Sequence, residues 1–336
     1  MNSSTSSSNR GGRHRRCLLA LGVLAASLLL LEIFTRTWLF SASKDFRRFA
    51  TYDERARRLV ESDGFRVALV GNSATDRGVD AAVFREALQH AIGHSIATDL
   101  FVADRSRINT WHFILERYFF SQGRQPDLVL LTFYENDLED GNPIEIGRLA
   151  QFFTTVRDWP EVFRLDLPDL NQRAEFLLAS VWATFAARER IKERALGALI
   201  PGYKPFAEHV NDVNYRHQAA QAGPVRSGSL RALRRLIDRA QQTGVRLCFV
   251  AYPTIPSQPY EVNPSVVALI RASGMDYLDL RRTTVLPARL YADEVHLSEQ
   301  GRPIFSRLLA DALAPLLARQ GPSLPRQARR RPSTLR

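Results

Sequence analysis

Cysteine is scarce in this chain. Its 336 residues contain two, Cys17 and Cys248, one opening a long apolar run and the other inside a second run at residues 245–252. So placed, the two do not pair, and a disulfide framework is excluded. A domain exported without disulfides takes its stability from its core, and 45% hydrophobic residues over this length supply one. Metal-ligand spacing is missing as well. The seven histidines form no close-spaced set; His90 and His94 are four apart, but Gly93 interrupts the helix that would align them. His209 and His217 read as structural or exposed. No metal and no cofactor is expected, and there is no internal repeat.

Acid is absent from both ends. Residues 1–16 hold Arg10, Arg13, Arg15 and Arg16, and residues 320–336 hold Arg326, Arg329, Arg330, Arg331 and Arg336, with no Asp or Glu in either stretch. These nine arginines carry most of the net charge of +11. The middle is nearly balanced, which argues against a nucleic-acid partner. The C-terminal cluster, residues 319–336, is either a solvated tail or a contact for anionic polysaccharide or lipid headgroups.

What is present begins with residues 17–34, CLLALGVLAASLLLLEIF, a run close to the length that spans a bilayer as a helix. Residues 1–16 read as a disordered basic tail before it and residues 17–40 as the anchor. Glu32 stands near its far end, and Trp38, Leu39 and Phe40 look like an interfacial belt. The preceding arginines place the N-terminus in the cytoplasm and the rest outside, as a single-pass protein of the inner (cytoplasmic) membrane with a periplasmic or extracellular domain. A cleaved signal peptide competes, with small residues at Ala25-Ala26-Ser27, but the apolar run continues past them. An uncleaved anchor is the expectation, followed by a charged helical connector at 41–63.

Strand-like stretches at 67–70, 99–103, 128–133, 245–251 and 275–280 alternate with helical patterns at 81–91, 108–120, 230–242, 264–273 and 303–317. That alternation predicts an α/β fold, a three-layer α/β/α sandwich with a mainly parallel sheet, over residues 64–318. Residues 143–243 form a helical insert, long for a crossover and rich in aromatics, read equally as packing mass or as a lid.

Chemistry-bearing residues cluster after the strands. Gly71-Asn72-Ser73 follows the first run at the carboxyl edge, where ligands bind in open α/β sheets. Ser73 there is either a nucleophile or, with Asn72, part of a helix cap. Asn136-Asp137 follows the third run. Asp293 and His296, three apart in a loop, are spaced so that the carboxylate holds one imidazole nitrogen and turns the other outward. Together they offer a nucleophile, an amide donor for an oxyanion and an oriented base.

With these blocks in this order the sequence resembles the SGNH (GDSL-type) hydrolase superfamily. Gly71-Asn72-Ser73 stands where many members have Gly-Asp-Ser, Tyr134-Glu135-Asn136-Asp137 is similar to Gly-x-Asn-Asp, and Asp293-Glu294-Val295-His296-Leu297 to Asp-x-x-His-Leu. The resemblance implies a flavodoxin-like fold and a triad of Ser73, His296 and Asp293. It implies an oxyanion site from the Ser73 N–H, Asn136 and the residue that takes the place of a second-block glycine. That region, Ala103-Asp104-Arg105-Ser106-Arg107, has no glycine, and Arg105 is its equivalent; Arg105 or Arg107 would otherwise bind an anionic part of the substrate. Tyr134 likewise replaces a glycine. The implied function is a membrane-anchored esterase removing O-acyl groups, acetyl foremost, from cell-surface carbohydrate, with polysaccharide-modification proteins as partners. The alternatives are a polysaccharide O-acetyltransferase with the same triad, and a non-catalytic binding or scaffold protein of the same fold.

Overall fold

The computed structural model describes residues 10–141, 144–203, 229–283 and 286–318. Residues 1–9, the tail from 319, and the stretch 204–228 with His209 and His217 lie outside these. The first helix, α1 (Arg10–Phe34), continues through Thr35–Leu39 and Phe40–Ala42. Within it His14–Ala42 is the one described helix long and apolar enough to cross a membrane. Residues 10–16, expected as part of a disordered tail, are helical: once a helix is nucleated, each added residue gains a hydrogen bond.

Two short helices follow, α2 (Lys44–Ala50) and α3 (Tyr52–Glu61). Then come β1 (Phe65–Gly71), α4 (Ser73–Gly78), α5 (Ala81–Ile92), β2 (Ile96–Val102), α6 (Ile108–Tyr118) and β3 (Leu128–Phe133). The insert contains helical turns over residues 146–166, then α7 (Leu170–Val181), α8 (Ala183–Ala186) and α9 (Arg188–Leu199). The chain closes with α10 (Arg231–Thr243), β4 (Leu247–Ala251), α11 (Pro264–Ala272), β5 (Asp276–Asp279) and α12 (Gly301–Ala318).

The five strands are all parallel in the order β2-β1-β3-β4-β5. The sandwich expected from the sequence is present, because strands buried on both faces need helices on both. Side chains alternate along each strand. Val67, Leu69, Leu128, Leu130, Cys248 and Val250 face the layer of α5 and α12, with Phe84, Leu88, Phe305 and Leu309. Ala68, Val70, Val129, Leu131, Phe249 and Ala251 face the other layer, with Trp111, Ile114, Leu236 and Ile270. Strand order reverses between β1 and β3, so the crevice at their carboxyl ends is where this topology places a ligand site.

Residues 44–61, set apart in sequence as a connector, pack into this second layer. Phe46, Phe49, Tyr52, Ala56 and Leu59 are buried there at helical spacing. The Tyr52 hydroxyl donates to the Val102 carbonyl at the end of β2. The expected interfacial belt is corrected too: Leu39 is buried and Phe40 packs on Phe46 at 4.6 Å between ring centroids, leaving Trp38 exposed. In the insert, Phe153 and Phe176 are fully buried in the same core, so packing accounts for much of its aromatic mass.

Truncating Phe49 therefore opens a cavity in the domain core. Phe49→Ala is expected to cost about 3–5 kcal/mol in urea unfolding. A loss below about 1 kcal/mol, the range of a surface change, would mark residues 44–61 as an appended linker.

Candidate active site

The loop after β1 turns directly into α4. Gly71 has no left-handed φ; its role is close approach, since a Cβ there would lie 1.8 Å from Thr75 Oγ1 and 3.0 Å from Thr132 Oγ1. Those two hydroxyls bond one another beneath the turn. Asn72 caps α4, its Oδ1 accepting from the Ala74 N–H at 3.0 Å. The cap is Asn72, and Ser73 stands at the first helical position, where a backbone N–H has no intrahelical acceptor.

Asn72 also looks across the sheet. Its Nδ2 donates to Asp137 Oδ2 at 2.9 Å and to the Ser106 carbonyl at 3.4 Å. An aspartate here would set two carboxylates against each other, a physical reason for amide in place of acid. Asp137 is buried and also accepts from the Tyr134 N–H at 3.1 Å. Arg107 lies 3.6 Å from it and donates to Asn136 Oδ1 at 2.8 Å, holding the amide plane with its Nδ2 edge turned the other way. Arg107 is buried in this network. Burial pushes Asp137 up to about 7, against the opposing pull of Arg107, the Tyr134 N–H and Asn72.

Arg105 has φ of 57°, the left-handed region that favours glycine. The backbone there has the shape a glycine would adopt, while the side chain projects outward and is exposed. The loop is tied to β1 by the Ala103 N–H donating to the Gly71 carbonyl at 3.1 Å and by the Ser106 hydroxyl donating to the same oxygen at 3.2 Å. Trp111 Nε1 donates to that hydroxyl at 2.7 Å.

His296 arrives from the far edge. From β5 the chain crosses back over β4 and β3 to reach β1, about 14 Å at ordinary strand spacing. Leu286, Leu290 and Leu297 bury against the α5–α12 layer and hold this return. A bridge between Tyr291 and Leu297 closes the loop, with the Ala292 N–H donating to the His296 carbonyl at 2.8 Å. Gly301 admits the Leu290 carbonyl, which a Cβ would meet at 2.2 Å. Within the loop Asp293 Oδ1 accepts from the N–H groups of Val295 (3.0 Å) and His296 (2.8 Å), and Oδ2 lies 2.8 Å from His296 Nδ1. Nε2 then lies 2.9 Å from Ser73 Oγ. Burial pushes the Asp293 carboxyl up, but those two N–H groups and the imidazole outweigh it and hold it below its usual value.

Ser73, His296 and Asp293 are thus joined in one hydrogen-bonded chain. Asn136 and Arg105 stand in the loops after the two neighbouring strands; Asp137 links the first loop to Ser73's turn through Asn72, and Ala103 and Ser106 link the second through Asn72 and the Gly71 carbonyl. Sequence reasoning named Arg107 only as a candidate anion contact and Asp137 only as a member of the third block; it missed that they join Asn72 and Asn136 in one buried network. The available signal was Asp137 itself, an acid after a six-residue apolar strand, which needs donors if buried.

The chain matches no protein-family model and no curated protein. Among solved structures it is similar to the acetylxylan esterase Axe2 from Geobacillus stearothermophilus. That likeness is at 14% identity and a TM-score of 0.37, over 74% of this chain and 93% of that one. It is similar also to the acetyl xylan esterase AlAXEase, at 14% identity and a TM-score of 0.35, over 75% of this chain and 98% of that one. The chemistry of the site follows from its own geometry.

Asp137 has a pH signature. Its folded-state value lies above the unfolded one, so its contribution to stability is intact below about pH 4 and is lost as pH rises to about 7, by a few kcal/mol at most. Urea unfolding at pH 5 and pH 8 is expected to show wild type losing stability relative to Asp137→Asn at the higher pH. A difference that does not change with pH would contradict a strained buried carboxylate.

Proposed function

We propose that this protein is a membrane-anchored serine esterase of the SGNH type that removes O-acyl groups, acetyl foremost, from cell-surface carbohydrate. The observation that carries the reading is the chain Ser73 Oγ, His296 Nε2, His296 Nδ1, Asp293 Oδ2, with both links under 3 Å. A serine hydroxyl is a weak nucleophile until a base takes its proton, and this imidazole is oriented to do so.

In the proposed cycle Ser73 Oγ attacks the ester carbonyl carbon while its proton passes to His296 Nε2. Asp293 holds the ring in the required tautomer and stabilises the imidazolium. The oxyanion accepts from the Ser73 N–H, the Arg105 N–H and the Asn136 amide. His296 then gives the proton to the leaving sugar oxygen as the acyl–oxygen bond breaks. Water, deprotonated by the same imidazole, attacks the acyl-serine and releases the carboxylic acid and free Ser73. The Tyr134 side chain, where the resemblance has a glycine, narrows the approach and favours a small acyl group, while the Arg105 side chain projects outward. The left-handed backbone at Arg105 weighs against the scaffold reading, whose chief support is the missing glycine.

The anchor reading rests on the apolar helix ending at Ala42, with the arginines on its N-terminal side. The domain then stands on the opposite side of the inner membrane from the N-terminus, facing carbohydrate and any proteins that modify it.

With p-nitrophenyl acetate, Ser73→Ala and His296→Ala are each expected to lower kcat by about 10⁴-fold or more. Asn136→Ala is expected to lower it by about 10²–10³-fold with KM little changed. Turnover that survives Ser73→Ala would overturn the reading. An acyl-serine that forms but yields product only when a sugar hydroxyl is added would favour the transferase.

A further inference from the structure

Helix α7 carries apolar residues on two sides. Phe176 and Ala179 face the core. Leu170, Leu177, Leu178 and Val181, at i, i+7, i+8 and i+11, form a second stripe that is 76, 40, 48 and 70% exposed. A helix apolar on both sides is normally covered on both, and a contiguous stripe of large aliphatic side chains in the open marks an interaction surface.

The position of the stripe says what covers it. The Glu32 carboxylate of α1 accepts from the N–H groups of Ala183 and Thr184, each at 2.8 Å, and from the Thr184 hydroxyl at 2.9 Å. Arg36 pairs with Glu32 at 2.7 Å and reaches the carbonyl of Val181, the last residue of α7, at 3.4 Å. The buried hydroxyls of Thr35 and Thr184 bond at 3.0 Å. These contacts pin the end of α7 and the start of α8 beside residues 32–36 of the apolar helix.

That level is close to lipid. A helix rising about 1.5 Å per residue climbs about 24 Å from Arg16 to Glu32. The hydrocarbon core is about 30 Å thick. With Arg16 at the cytoplasmic boundary, Glu32 and the segment pinned to it sit at the outer boundary or a few ångströms inside it. Protein surface held there meets acyl chains wherever other protein does not cover it. Trp38, 54% exposed and stacked on Phe34 at 5.0 Å, fits the same interface.

We propose that α7 lies in the outer interface of the membrane that α1 spans, with its Leu170, Leu177, Leu178 and Val181 stripe against lipid. The domain then has two membrane contacts, one spanning and one interfacial, and the Glu32–Thr184 junction fixes the angle between them. This rests on the anchor reading given above.

The test uses the full chain in vesicles of phosphatidylcholine and phosphatidylglycerol. Leu170→Cys, Leu178→Cys and, as a control in the opposite layer, Glu86→Cys are introduced one at a time in a Cys17→Ser background, where the remaining Cys248 is buried, and carry an environment-sensitive fluorophore. At Leu170→Cys and Leu178→Cys the expected result is blue-shifted emission, quenching by nitroxide lipid and protection from aqueous iodide, with none of these at Glu86→Cys. Carbonate extraction of the same vesicles reports the span separately. Protein that resists carbonate while both stripe positions remain open to iodide overturns the interfacial contact alone. Protein that carbonate releases overturns the anchor and the proposal with it. Stripe positions shielded in native membranes but not in these vesicles would mean a protein partner covers α7, which also overturns the proposal.

Discussion

Asp137 enters the interior at the end of β3, and the groups that satisfy it decide where the rest of the site stands. A carboxylate buried without partners is costly, so the surrounding chain is arranged as donors. Asn72 supplies one from the loop after β1, the Tyr134 N–H another from the loop after β3, and Arg107 faces it from the loop after β2. One buried group therefore ties three strand ends together. The same partners set the neighbouring functional atoms: Asn72 caps the helix that begins at Ser73, and Arg107 holds the Asn136 amide by its oxygen. The network sets the positions of Ser73 and Asn136, the nucleophile and oxyanion donor of the proposed function, without bonding to Ser73 Oγ itself.

The imidazole proposed as base comes to this platform from outside it. His296 belongs to a loop that starts at the opposite edge of the sheet, and only its own bridge and the buried leucines of the return segment bring it to Ser73. The site thus joins a rigid half, built on β1, β2 and β3, to a docked half at residues 291–298. Asp293, with its side chain 48% exposed, is held mainly by local backbone donors. Its orientation is a property of the loop and travels with it.

Much of this was legible in the sequence because buried parallel strands are continuous apolar runs. β1, β3 and β4 stood out for that reason, and the polar blocks after β1 and β3 fell at the carboxyl edge; the half-buried β2 and β5 were read from their place in the alternation. Asp293 and His296 were legible because their geometry is local. What stayed hidden depends on contacts between distant segments. The apolar residues of 44–61 have a helical rhythm, but a rhythm does not name the surface it packs on. Arg107 is one of many arginines, and only the fold sets it beside Asn136 and Asp137. Glu32 read as a carboxylate near a membrane surface; that it caps a helix in the insert follows from tertiary contact alone. Arg105 read as the equivalent of a missing glycine; that the backbone there keeps the glycine-like conformation is seen only in the fold.

The central claim is that His296 and Asp293 make Ser73 a nucleophile. It is tested most directly by treating the intact protein with a fluorophosphonate and mapping the adduct by mass spectrometry. The account predicts one modified serine, Ser73, with labelling lost in His296→Ala and retained in Glu86→Gln on the opposite layer. An unlabelled Ser73, or one labelled equally well without His296, would contradict it.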